Sequence, residues 1–129
     1  MRKGFLTAVV LLASTSALGQ DKGASVGDSD EAALKRLRQE IVQMIGDPVC
    51  ANLVYCRVLA LGVKSCGAPD EYLAYSNTAK TDTDQLQVKA SEYAFLQEES
   101  LAGKPPASDC RLPKKPAVRC VDQRCRLVP

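Results

Sequence analysis

Residues 50–76 read CANLVYCRVLALGVKSCGAPDEYLAYS, and the reading of this stretch decides the fold. Three cysteines punctuate it: Cys50, Cys56 and Cys66. Arg57 to Val63 (RVLALGV) carries Val58, Leu59, Leu61 and Val63, the β-branched and apolar content of a strand. Tyr72 to Ser76 (YLAYS) is a second short strand, because its alternation puts Tyr72, Ala74 and Ser76 on one face and Leu73 and Tyr75 on the other. Lys64 to Pro69 (KSCGAP) is a turn tied down by its cysteine, and Val49 to Cys56 reads as a loop or a short helical turn.

Outward from this stretch the period changes to that of helices. On the N-terminal side, Asp28 followed by Glu31 has the layout of a capping box. Leu34, Leu37, Ile41, Met44 and Ile45 then recur at helical spacing until Gly46 and Asp47-Pro48 stop the pattern. On the C-terminal side a second helix is expected from about Asp82, with Gln85 three residues on and Leu86, Ala90, Tyr93, Ala94 and Leu96 as its apolar stripe. Gly103 and Lys104-Pro105-Pro106 end it. The tail predicts a hairpin, Ala117 to Val121 and Arg124 to Val128, around an Asp122-Gln123 turn that lacks the usual glycine. The expected fold is α+β, with two helices packed on a small antiparallel sheet and up to three disulfides stapling it.

Aromatic residues are only 5% of the chain, with no Trp and with Phe95 as the one Phe beyond residue 5, so large rings contribute little to a core. Covalent bridges are the expected compensation. The six cysteines, Cys50, Cys56, Cys66, Cys110, Cys120 and Cys125, are spaced C-x5-C-x9-C and then C-x9-C-x4-C. There is no C-x-x-C and no His, which argues against a thioredoxin-type site and against a structural zinc. Spacing leaves the pairing open. A Cys120–Cys125 bridge across the tight hairpin is the less usual choice. The two triplets flank the second helix and read as staples holding a small sheet against it.

The compartment follows from the first residues. Met1-Arg2-Lys3 is a positive start, GFLTAVVLLA (4–13) is apolar, and Ala17-Leu18-Gly19 offers small residues for a signal peptidase. Residues 1–19 are the expected signal peptide, cleaved after Gly19, because the apolar run falls short of the about 20 residues a membrane span needs. Residues 20–28 are the expected spacer and residues 29–129 a single domain, periplasmic or extracellular. No transmembrane segment is expected in the mature chain. Losing Arg2 and Lys3 with the leader leaves fifteen basic and fifteen acidic residues, so net charge makes no case for a nucleic-acid partner.

The run Cys50-x5-Cys56, Cys66-Gly67-Ala68-Pro69 and Tyr72-Leu73-Ala74-Tyr75-Ser76, with the three later cysteines, resembles a family of small exported bacterial six-cysteine proteins to which no activity is assigned. The resemblance covers about Cys50 to Cys125 and departs at Ala68, where the family pattern has a second Gly. It implies an exported, disulfide-bonded bacterial protein and nothing about chemistry.

Catalysis through His is excluded by composition. A Ser–Lys dyad would have to use Ser65 or Ser76, and Lys64 is adjacent to Ser65 on a chain whose neighbours point apart. Asp70-Glu71, Asp82/Asp84 and Glu98-Glu99 are the carboxylate pairs open to a small hydrolase. No catalytic, metal or cofactor-binding residue is assigned and no cofactor is expected. Two groups suit binding: Tyr72, Tyr75, Ser76 and Asn77 beside a constrained turn, and Lys114 and Lys115 within a basic tail that also holds Arg111, Arg119, Arg124 and Arg126. That tail suits lipid headgroups, cell-wall polymers or an acidic partner. The expectation is a non-enzymatic binding protein of the cell envelope with a protein or envelope partner. The alternatives are an inhibitor of a secreted hydrolase, presenting the Cys66–Pro69 or Pro113-Lys114-Lys115 turn, and a carboxylate-dependent hydrolase.

Overall fold

The computed structural model describes residues 26–105, 111 and 114–129. The expected signal peptide, the first part of the expected spacer, Cys110 and Pro113 lie outside them. The element order is α1 (Val26–Ile45), a 3-10 turn (Leu53–Tyr55), β1 (Cys56–Leu61), β2 (Glu71–Ser76), α2 (Thr83–Leu101), β3 (Ala117–Val121) and β4 (Arg124–Val128). The fold is α+β, but the strands form two two-stranded antiparallel sheets, β1-β2 and β3-β4, rather than one.

The first sheet divides the molecule. Its register pairs Leu59 with Leu73 and Arg57 with Tyr75, so these side chains share one face; Cys56 with Ser76, Val58 with Ala74 and Ala60 with Tyr72 share the other. The alternation expected of Tyr72–Ser76 is the one observed. Onto the first face pack both helices. Leu37, Ile41 and Ile45 of α1 meet Leu86, Ala90 and Tyr93 of α2 over Leu59, Leu61 and Tyr75. Ile41, Leu61 and Leu86 are fully enclosed. The expected stripe of α1 packs into this core, as do Leu86, Ala90, Tyr93 and Leu96 of the stripe expected on α2, while Ala94 is only partly buried.

α2 begins where Asp82 caps it, its carboxylate accepting from the Gln85 amide at 3.0 Å. It ends at Ala102 and Gly103, the latter at φ +76. α1 starts at Val26, earlier than the expected spacer boundary, so Val26 and Gly27 are helical. A helix with an anchored apolar stripe extends its N-terminal turn at little cost, which makes that boundary hard to read from sequence.

Against the second face of the β1-β2 sheet lies the β3-β4 hairpin, fastened by two disulfides, Cys50–Cys120 and Cys56–Cys125. Cys50, Cys56 and Cys125 are buried there with Ala74 and Val118 around them. This corrects the expectation that the cysteines staple a sheet against the second helix. Cys56 sits on the face of β1 turned away from the helices, so its bridge joins β1 to β4, and Cys50, in the segment before the 3-10 turn, is bridged to β3. Cys66 is also disulfide-bonded. Pro48–Cys50 runs beside β4: Val49 bridges Arg124, the Cys50 amide donates to the Gln123 carbonyl at 3.0 Å, and the Cys125 amide donates to the Pro48 carbonyl at 2.8 Å.

Candidate functional site

The outer face of the hairpin follows from its register. Arg119 pairs with Arg126, Ala117 with Val128 and Val121 with Arg124, and directly opposite residues of an antiparallel pair share a face. Cys120 and Cys125 form the intervening row and point inward to their bridges. Because Val49 bridges Arg124 on its other side, one row reads Val49, Arg124, Val121 and the next reads Arg126, Arg119. Two like charges facing each other across a ribbon destabilise it. Arg119 and Arg126 are both exposed. Arg124 differs, since its Nε donates to the Asp47 carboxylate at 2.5 Å.

Apolar groups lie among these charges. Val49 is 46% exposed and Val121 38%. The turn Leu53–Tyr55 packs beside β3 and presents Leu53, Val54 and Tyr55, with Val54 at 70% exposure. That turn is rigidly built. Asn52 Oδ1 accepts from the Val54 amide at 2.9 Å, and Arg57 donates to the Val54 and Cys56 carbonyls at 2.7 and 2.9 Å. Lys114 and Lys115, both exposed, precede β3 and line a cavity of about 410 Å3 with Pro116, Ala117 and Pro129. From Arg111 to the end of the chain there are six basic residues and one acid, Asp122.

The other sequence-designated binding residues behave differently. Tyr75 is buried in the helix-side core and Ser76 is 2% exposed, its hydroxyl donating to the Val49 carbonyl at 2.5 Å. Tyr72 is half-buried, and exposed Asn77 uses its amide to reach the Tyr55 carbonyl at 2.7 Å. Ser76 and Asn77 therefore hold the backbone at Val49 and Tyr55 in place.

The candidate carboxylates are dispersed. Arg38 grips Glu71 through two bonds of 2.6 and 3.0 Å, and this contact, more than the bare charge, holds the Arg38 guanidinium even more firmly protonated than usual. Asp70 accepts from Gln97 at 3.3 Å, and Asp82 is a helix cap. Glu98 and Glu99 line separate cavities. Glu98 borders one of about 510 Å3 with Lys64, Ser65 and Lys104, and Glu99 borders one of about 380 Å3 with Asp30, Glu31 and Ser100. Within the Cys66–Pro69 turn, Ala68 is 1% exposed and its carbonyl accepts from the Lys64 amide at 2.7 Å, while Gly67 is exposed. Among the described residues Cys50, Cys56 and Cys125 are close enough to share a metal ion, but all three sulfurs are spent in disulfides.

What fold and face define together is a small disulfide-stapled α+β protein carrying a mixed cationic and apolar sheet face. No family model, curated protein or solved structure matches the chain. No helix among the described residues is long and apolar enough to cross a membrane.

Sequence reasoning named the basic tail but missed its apolar complement, Val49, Leu53, Val54, Tyr55 and Val121. The signal was present. Leu53-Val54-Tyr55 is an apolar run inside a stretch too short and too closely flanked by cysteines to bury it.

Proposed function

We propose that the mature chain is a non-enzymatic binding protein of the cell envelope, exported by its leader and oxidised outside the cytoplasm, which engages an acidic partner through the outer face of β3-β4. The observation that carries this reading is the Arg119–Arg126 row. A hairpin that sets two arginines opposite each other and exposes both loses stability to hold them there. Local conflict of this kind is the expected mark of a functional surface. The leader and the disulfides support an oxidising compartment. Glu71 is held by Arg38 and Asp82 caps α2, so two of the candidate carboxylates already have other work, which favours binding over hydrolysis.

The test is retention of the mature, oxidised chain on immobilised polyglutamate. The unsubstituted protein is expected to be held and released by salt. The Arg119→Gln/Arg126→Gln variant is expected to elute at markedly lower salt with its fold unchanged by circular dichroism. Equal elution of the two proteins, or no retention of either, contradicts the assignment.

A further inference from the structure

We infer that the occupant of this face is the surface of an anionic lipid bilayer, on which the hairpin lies with Val54 and its neighbours dipping into the headgroup layer. This rests on the reading of β3-β4 as a binding face and specifies its ligand.

Three features separate lipid from an acidic protein. First, the apolar groups are exposed to solvent. Leu53 is 55% exposed and Val54 70%, on the short turn before β1. A fluid interface accepts protruding apolar groups without a shaped counterpart. Second, the residue types are those of an interfacial surface. Arg119 and Arg126 have long stems that lie along apolar material while the charged heads stay wet, and Tyr55, 40% exposed, has an apolar ring with a polar tip. Third, the charge is complementary and segregated. The mature chain is balanced overall, yet the segment from Arg111 onward is basic. Its one acid, Asp122, sits in the turn, and Asp47 is neutralised by Arg124. Negative surface potential would orient such a molecule hairpin-first.

The two bridges make the surface usable. Val49, Leu53, Val54 and Tyr55 come from the N-terminal half and the arginines from the C-terminal end. The Cys50–Cys120 and Cys56–Cys125 disulfides tie the two parts together, and the Leu53–Tyr55 turn packs beside β3. A preorganised face spends little of its binding energy on ordering itself.

The experiment is co-sedimentation of the mature, disulfide-bonded chain with large vesicles of phosphatidylglycerol and phosphatidylcholine, and with vesicles of phosphatidylcholine alone. The chain is expected to sediment with the mixed vesicles and not with the neutral ones. Arg119→Gln/Arg126→Gln should weaken partitioning by about 30-fold at roughly 0.1 M salt, since two basic groups are lost at the surface. Val54→Ser, which removes the apolar side chain and leaves the charge of the face unchanged, should weaken it at least several-fold. Lys35→Gln/Lys80→Gln, which removes as much charge elsewhere, should change it little. Retention on polyglutamate without any vesicle binding would overturn the lipid assignment and leave the binding face standing. Failure on both supports would overturn both. Equal binding to neutral vesicles, or equal losses in the Lys35/Lys80 control, would also overturn the lipid assignment.

Discussion

Gly62, directly after β1, has φ +74, and a methyl group there would run into the Gln97 side-chain oxygen, with Asp70 and Tyr93 atoms each 3.0 Å away. The same Gln97 oxygen accepts from the Val63 amide at 2.6 Å, so the glycine lets α2 reach over and satisfy the chain as it leaves the sheet. Gly62→Ala combines left-handed strain with overpacking and should cost about 2–4 kcal/mol in urea unfolding. The turn between β3 and β4 shows the opposite situation. Asp122 and Gln123 sit at φ 49 and 60, the two-residue turn that favours glycine. Gln123→Gly should therefore stabilise by about 0.5–1 kcal/mol, the relief of strain exceeding the added chain entropy. Tyr93 supplies the pH dependence. Burial, reinforced by the carboxylates of Asp70 and Glu71 and opposed by Arg38, pushes its phenol above the ordinary value of 10.0. With the folded value raised, its contribution is whole below that ordinary value and is lost as pH climbs through the folded one. Thermal stability should fall above about pH 10, and less steeply in Tyr93→Phe.

At the scale of elements, legibility followed the strength of each local pattern. α2 was readable because Asp82, the Leu86–Ala90–Tyr93 stripe and Gly103 agree on one helix. The hairpin strands were readable from their alternation, even with an unfavourable turn. What escaped was pairing. Period-2 patterns identify strands and faces but not neighbours, so one sheet and two sheets look alike until the register is known. Likewise, spacing said six sulfurs and not which face of β1 carries Cys56. The apolar half of the candidate face was hidden for a related reason: Val49 meets Arg124 only through a bridge between segments 75 positions apart in the chain. The bridges that create this arrangement cross, since Cys56 lies inside the Cys50–Cys120 loop and Cys125 outside it. Closing either one alone restricts a loop of about 70 residues, worth about 4 kcal/mol; the other then closes only a short ring through residues 50–56 and 120–125, worth about 3 kcal/mol. Replacing Cys56 and Cys125 by Ala should therefore leave a folded protein destabilised by about 3 kcal/mol. Removing the second bridge as well should cost more than the first did, as read by denaturant titration of the two variants.

For the whole molecule, the layers explain why so few aromatic rings suffice. The helices and one face of β1-β2 make an apolar core, and the opposite face is closed by sulfur rather than by side-chain volume. That second layer carries the arginines outward, so the same bonds that stabilise the chain also set the composition of its exposed sheet. This layering depends on the connectivity of those bonds, and a proteolytic peptide map of the mature, unreduced protein tests it directly. It should return Cys50 joined to Cys120 and Cys56 joined to Cys125. A Cys120–Cys125 linkage, or free thiols at Cys50 and Cys56, would detach the hairpin from β1 and contradict it.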